Sequence, residues 1–166
     1  QDVFRIGVIG SGRIAHRFVP ETKVVNGAEV VAVFNPNKEK AESFAKMYGI
    51  EAFSDFADFI QKVDAVYVAS PHLTHYEYAK QSLLAGKHVL CEIPFMLSKE
   101  QALELYRLAE EKNLVLMEAS KTAFCPAFGH IVTLVKSGII GDVVDVKASL
   151  SKMVEPPTRE LDAAQA

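Results

Sequence analysis

The sequence has no tryptophan, only two cysteines and no long apolar run, and each shortage excludes something. Cys91 and Cys125 share no Cys-x-x-Cys or Cys/His spacing, so both read as reduced thiols and no metal site is expected. The longest apolar stretches are strand-sized, such as Val30 to Phe34, against the ~20 residues needed to cross a bilayer, so no membrane partner is expected. Positive charge is not in excess: 18 Lys and Arg against 21 Asp and Glu leave a formal net charge of -3. The basic residues are scattered, so nucleic acid is not an expected partner. The amino end, Gln1-Asp2-Val3-Phe4, shows neither a basic segment nor a small-residue cleavage site, and cytoplasm is the expected compartment. There is no internal repeat and no low-complexity tract.

What is present is enough apolar residue, 49% of 166, to bury a core without staples. Val3 to Ile9 reads as a strand that ends in Gly10-Ser11-Gly12 and opens into a helix at Arg13-Ile14-Ala15-His16. A second strand, Glu29 to Phe34, leads into a helical pattern over Lys38 to Met47 that Gly49 closes. A short helix around Asp55 to Gln61, a strand Ala65 to Ala69, a helix Thr74 to Leu84 and a strand His88 to Cys91 follow. Ser98 with Gln101 three residues on has capping-box spacing for a helix that Asn113 stops before a strand at Leu114 to Met117. Strands that are almost wholly apolar, alternating with helices, predict a doubly wound parallel sheet of the Rossmann type, an α/β fold. A helix over Pro126 to Lys136 and a period-two strand over Val143 to Leu150 then mark a change of domain. The tail from Glu155 to Ala166 has no pattern that would bury it.

Gly10, Gly12 and Ala15 stand at Gly-x-Gly-x-x-Ala spacing between the first strand and the first helix. A pyrophosphate is answered most simply by a bare helix amino terminus whose N–H groups and dipole face it. Gly10 permits the reversal, Gly12 lets the backbone approach, and Ala15 lets the helix sit close to the sheet. Gly10, Ser11, Gly12, Arg13 and Ile14 are therefore candidate dinucleotide ligands. The residue that usually meets the adenosine ribose, acidic at the end of the second strand, is here Asn35. Asn35 does not repel a 2′-phosphate and Lys38 lies close enough to help hold one, so the expected cofactor is NAD or NADP, with the choice left open.

These residues resemble the Gfo/Idh/MocA oxidoreductases, through Ile6-Gly7-Val8-Ile9-Gly10-Ser11-Gly12-Arg13-Ile14-Ala15, Ser70-Pro71-His72-Leu73-Thr74-His75, Ala85-Gly86-Lys87-His88-Val89-Leu90-Cys91-Glu92-Ile93-Pro94, and Met117-Glu118-Ala119 with Phe124-Cys125-Pro126. The resemblance runs from Ile6 to about Val146. It implies an amino-terminal Rossmann domain over residues 1–122 and, over residues 123–166, the incomplete start of an α+β carboxy-terminal domain whose sheet often joins protomers into a homo-oligomer. It also implies hydride transfer at a sugar, polyol or related secondary alcohol or carbonyl. Ser70, Pro71, His72, His75, Glu92 and Pro94 become further cofactor ligands on that resemblance, with Pro94 a rigid bend for which a cis peptide is one option.

One residue departs from the family pattern. The Glu-Lys-Pro motif, whose lysine stands by the nicotinamide, reads Glu92-Ile93-Pro94, and isoleucine can neither bind a hydroxyl nor move its proton. Lys121 and His75 are the candidate replacements, with His72 considered beside them. His16, His88 and His130 are expected to be structural. Two other readings stay open on the same residues: a cofactor-binding sensor without turnover, and an NAD-dependent glycosidase. The chain alone is expected to lack activity, because a Rossmann half leaves the crevice open to water.

Overall fold

The computed structural model describes residues 3–149 and 151. Contacts divide the chain into two compact units, Gln1–Ala119 and Ser120–Ala166.

In the first unit the apolar segments become strands: β1 (Phe4–Ile9), β2 (Ala28–Phe34), β3 (Glu51–Phe53), β4 (Ala65–Val68), β5 (His88–Cys91) and β6 (Leu116–Glu118). They form one sheet in the order β3-β2-β1-β4-β5-β6, parallel throughout. The connecting helices are α1 (Arg13–Thr22), α2 (Lys38–Tyr48), α3 (Phe56–Ile60), α4 (His75–Leu84) and α5 (Lys99–Glu111). Because successive strand residues point to opposite faces, Val8, Val33 and Tyr67 pack with Ala15 and Val19 of α1 and Phe44 and Ala45 of α2. Ile9, Phe34 and Val68 pack on the other face with Phe59, Leu83 and Leu105 from α3, α4 and α5. Strand order reverses direction at β1, between β2 and β4. In a doubly wound sheet the ligand crevice opens there, at the carboxyl ends of the strands.

Helix starts are written in the sequence. The side chains of Asn37, Asp55 and Ser98 cap α2, α3 and α5 by accepting from the N–H of Lys40, Asp58 and Gln101. Helix α1 contains Pro20, which has no N–H for the carbonyl of His16. The Tyr48 hydroxyl of α2 donates to that carbonyl instead, at 3.1 Å, while His16 Nδ1 lies 2.8 Å from the same hydroxyl oxygen. With the one hydroxyl proton given to the carbonyl, the contact with the ring is made by His16 Nδ1–H donating to the Tyr48 oxygen. The expected structural roles of His16 and His88 are seen: His88 Nδ1 accepts from the Val115 N–H at 2.9 Å.

Three expectations need correction. Strand β3 escaped notice because three residues carry no periodicity and are defined by pairing, Ala32 to Glu51 through Phe34 to Phe53. Strand β6 begins at Leu116 instead of Leu114. The expected strand from Val143 has no counterpart over residues 143–149, while Leu150 lies outside the described residues. Period-two alternation supplies a face, but a strand also needs a neighbour to hydrogen-bond. The second unit contributes a 3₁₀ turn (Lys121–Phe124) and helix α6 (Pro126–Lys136), with Pro126 at its first turn and Phe128, Ile131 and Leu134 exposed. The tail from Glu155 to Ala166 lies outside the described residues.

At Gly7 the sheet meets α3 so closely that a Cβ would lie 2.5 Å from Phe59 Cζ and 2.8 Å from Val63 Cγ1. Gly7→Ala is expected to cost about 1–3 kcal/mol by overpacking, read as a lower urea midpoint with an unchanged slope. Cys91 is fully buried and burial pushes its thiol up to about 12, whereas Cys125 is exposed. A thiol reagent at pH 8 should therefore label one cysteine in the folded chain and two in urea, since the thiolate is the reacting form; labelling of both in the folded chain would contradict the packing around β5.

Candidate cofactor site at the carboxyl edge of the sheet

The turn after β1 passes against the end of β4. A Cβ on Gly10 would sit 2.7 Å from the Ala69 carbonyl oxygen, and the residue holds φ +99°, where side chains are strained. The Gly10 N–H donates to the Phe34 carbonyl at 2.8 Å, tying the turn to β2 as well. Gly12 is the residue before α1 and brings no side-chain cap, and the first turn has no acidic residue. The first N–H groups of a helix have no partner within it. At α1 they open on the crevice at the strand reversal, with Ala15 fully buried beneath and Ile14 packed on the same cluster. This is the cradle that a pyrophosphate requires, so the residues present fit a dinucleotide.

Asn35, just past β2, is held on three sides. Its N–H donates to the Phe53 carbonyl, its Oδ1 accepts from the Asn37 N–H at 2.9 Å, and its Nδ2 donates to Ser11 Oγ at 2.8 Å. The amide thus spans from the end of β2 to the glycine turn without adding negative charge. Lys38 is exposed and only loosely paired, its Nζ 3.8 Å from Glu42. Arg13 is exposed at the start of α1.

Across β1, the loops after β4 and β5 meet through His75. This ring is 1% exposed, with Nδ1 2.9 Å from the Pro94 carbonyl oxygen and Nε2 3.0 Å from the Ser70 carbonyl oxygen. Carbonyl oxygens only accept, so the ring donates to both as the imidazolium and to one in either neutral tautomer. Both nitrogens are thus engaged with backbone inside the protein. His72 packs edge-on against the His75 ring at 5.6 Å between ring centroids. Thr74 Oγ1, which sequence reasoning missed, lies 2.7 Å from both Ser70 Oγ and the Pro71 carbonyl oxygen. The Ile93–Pro94 peptide is cis. Glu92 accepts from the Tyr67 hydroxyl at 2.6 Å and from the Ile93 N–H at 3.1 Å, and Ile93 itself is 54% exposed. Tyr67 was also missed; its signal was a lone hydroxyl inside an otherwise apolar strand, which must find a partner when buried.

The candidates named from the sequence thus gather at one sheet edge, from the β1, β2, β4 and β5 ends, with one exception: Lys121 belongs to the second unit, at the start of its 3₁₀ turn. Among the described residues no group of three or more His, Cys, Asp or Glu could hold a metal ion, and no helix is long and apolar enough to cross a membrane.

A parallel sheet in this order with a bare, glycine-led helix start at its reversal defines a dinucleotide-binding α/β protein. The family model of the Gfo/Idh/MocA type, described as an oxidoreductase family with an NAD-binding Rossmann fold, matches residues 4–120, and the chain belongs to that family. Among curated proteins it is 37% identical over 132 residues to a scyllo-inositol 2-dehydrogenase (NADP(+)) of Bacillus subtilis, covering 78% of this chain and 40% of that protein. It is 30% identical to the glucose-6-phosphate 3-dehydrogenase of the same organism, covering 89% of this chain and 42% of that protein. Among solved structures, a 3-ketoreductase from Actinomadura kijaniata in complex with NADP aligns with a TM-score of 0.78 at 33% identity, over 85% of this chain and 46% of that one. The chain therefore spans less than half the length of these relatives. The expected cofactor, NAD or NADP, agrees with the family model and with the bound NADP of the solved neighbour.

His75→Leu removes the ring that lies between the Pro94 and Ser70 carbonyl oxygens, and a cost of about 2 kcal/mol is expected in urea unfolding. An unchanged midpoint would mean that the ring does not hold these loops.

Proposed function

We propose that this chain is the cofactor-binding half of an NAD(P)-dependent oxidoreductase that transfers a hydride between the nicotinamide and a sugar, polyol or related secondary alcohol or carbonyl. The observation that carries the reading is the uncapped start of α1, with Gly10 wedged against Ala69, at the point where strand order reverses. Relatives named for inositol, a sugar phosphate and a keto group supply the substrate class. The cofactor, when bound, supplies the hydride chemistry; the chain supplies position and charge. Gly10 to Ile14 hold the pyrophosphate, Asn35 and Lys38 meet the adenosine ribose, and Ser70, Pro71, His72, Glu92 and Pro94 flank the nicotinamide half.

His75 is read as a positioning residue, since both of its nitrogens are engaged under the loops. That leaves Lys121 as the chain's candidate for proton transfer in place of Ile93; the second unit, which carries it, we assign to the start of the substrate domain. The domain boundary at residues 122 and 123, the homo-oligomer and the cytoplasmic location belong to the same proposal. Side chains that enclose the substrate are assigned to the longer protein. A second reading, a cofactor-binding sensor without turnover, is favoured by one observation: Ile93 presents a half-exposed hydrocarbon where the family motif has an ammonium.

Titration of the chain with NADPH and NADH by nucleotide fluorescence tests the cofactor site. Asn35→Asp puts a carboxylate beside the ribose 2′ position and is expected to shift the NADPH-to-NADH preference toward NADH by about tenfold, equal to ~1.4 kcal/mol. No shift would remove Asn35 from the site. For the longer protein, polyol-dependent formation of reduced cofactor supports the dehydrogenase; tight cofactor binding with no reduction across inositols and hexoses supports the sensor.

A further inference from the structure

Tyr67 lies in the middle of the sheet and is 2% exposed, yet its hydroxyl reaches the crevice edge and donates to Glu92 Oε1 at 2.6 Å. Its ring is fixed by Phe18 of α1, stacked with ring centroids 3.9 Å apart and planes 22° from parallel. Glu92 Oε2 is occupied by the Ile93 N–H at 3.1 Å. A carboxylate has about four acceptor positions, two per oxygen. With one position on each oxygen filled, one on each oxygen remains. That pair suits two neighbouring hydroxyl groups, the 2′ and 3′ hydroxyls of a ribose. In a doubly wound sheet the two nucleotides lie on opposite sides of the reversal, so Asn35 at β2 marks the adenosine half and Glu92 at β5 the nicotinamide half.

We propose that Tyr67 is a positioning residue for the nicotinamide ribose: it sets the orientation of the Glu92 carboxylate, and through Phe18 it ties that carboxylate to the helix that receives the pyrophosphate. Burial, and then the hydrogen bond to Glu92, push the Tyr67 phenol above its ordinary value, so the hydroxyl keeps the proton it donates. The inference rests on the cofactor reading above and adds to it the residue that orients Glu92 toward the nicotinamide ribose.

The test separates the two ends of the ligand. Binding to the chain and to Tyr67→Phe is measured for two matched pairs, NADPH with 2′-phospho-ADP and NADH with ADP, where the second member keeps the adenosine and the pyrophosphate but lacks the nicotinamide ribose. The expected result is about tenfold weaker binding of the whole dinucleotide to Tyr67→Phe, with the truncated ligand within about twofold of the parent, since a hydrogen bond to a charged group is at stake. A variant that merely loosened the fold would weaken both ligands together, and that outcome overturns the proposal, as does a dinucleotide affinity that does not change. Glu92→Gln completes the cycle. If Tyr67 acts through Glu92, the double variant should bind the dinucleotide about as well as Glu92→Gln alone, and fully additive losses overturn the proposal. Parent protein that binds the truncated ligand but gains nothing from the nicotinamide half overturns this inference while leaving the pyrophosphate site standing. Parent protein that binds none of the four ligands overturns the cofactor reading itself.

Discussion

The structure depends on one close approach: the turn after β1 crosses the end of β4 with no room for even a methyl group at Gly10. That contact fixes where the chain leaves the sheet, and so where α1 begins. The amino end of α1 can then stay bare, because its first N–H groups face a crevice between diverging strands and need no side-chain cap. Ser11 is brought within reach of Asn35, and two turns later Phe18 is brought over Tyr67. A substituent at Gly10 would displace all of these together, which gives a physical reason for the glycine beyond its backbone freedom.

The crevice is held by backbone carbonyls and buried rings more than by exposed charge. His75 joins the loops after β4 and β5, Tyr67 and the Ile93 N–H orient Glu92, and Tyr48 repairs the hydrogen bond that Pro20 removes from α1. Each uses a polar atom on an otherwise apolar body, so each adds a directional contact while burying surface. These contacts hold the edge of the sheet from within the protein, and an edge held in that way lowers the ordering cost of binding.

Much of this was legible in the sequence. The apolar strands, the helix caps at Asn37 and Ser98 and the glycine turn follow from local rules, because each depends on residues a few positions apart. What was not legible depends on pairing across distance. Glu51–Phe53 is a strand only because β2 lies beside it, and residues 143–149 have strand alternation without a strand because nothing described pairs with them. His75 carried the signal of a polar, titratable side chain near a crevice, which suits a catalytic group and a buried staple equally well; only its 1% exposure and its two carbonyl neighbours separate them. Tyr67 stands in an apolar strand, where a core aromatic belongs, and its ring is one. Its hydroxyl has the second role.

The hydrogen bond from Asn35 to Ser11 has an evolutionary consequence. Asparagine and aspartate have the same shape and their codons differ by one base. An aspartate at this position could still accept from the Asn37 N–H, and the Ser11 hydroxyl could turn to donate in its place. The turn would keep its geometry while the charge facing the ribose changed. On the cofactor reading proposed here, the two cellular pools of reducing equivalents are a single point mutation apart for this protein, so a lineage could move from one metabolic supply to the other without rebuilding the fold.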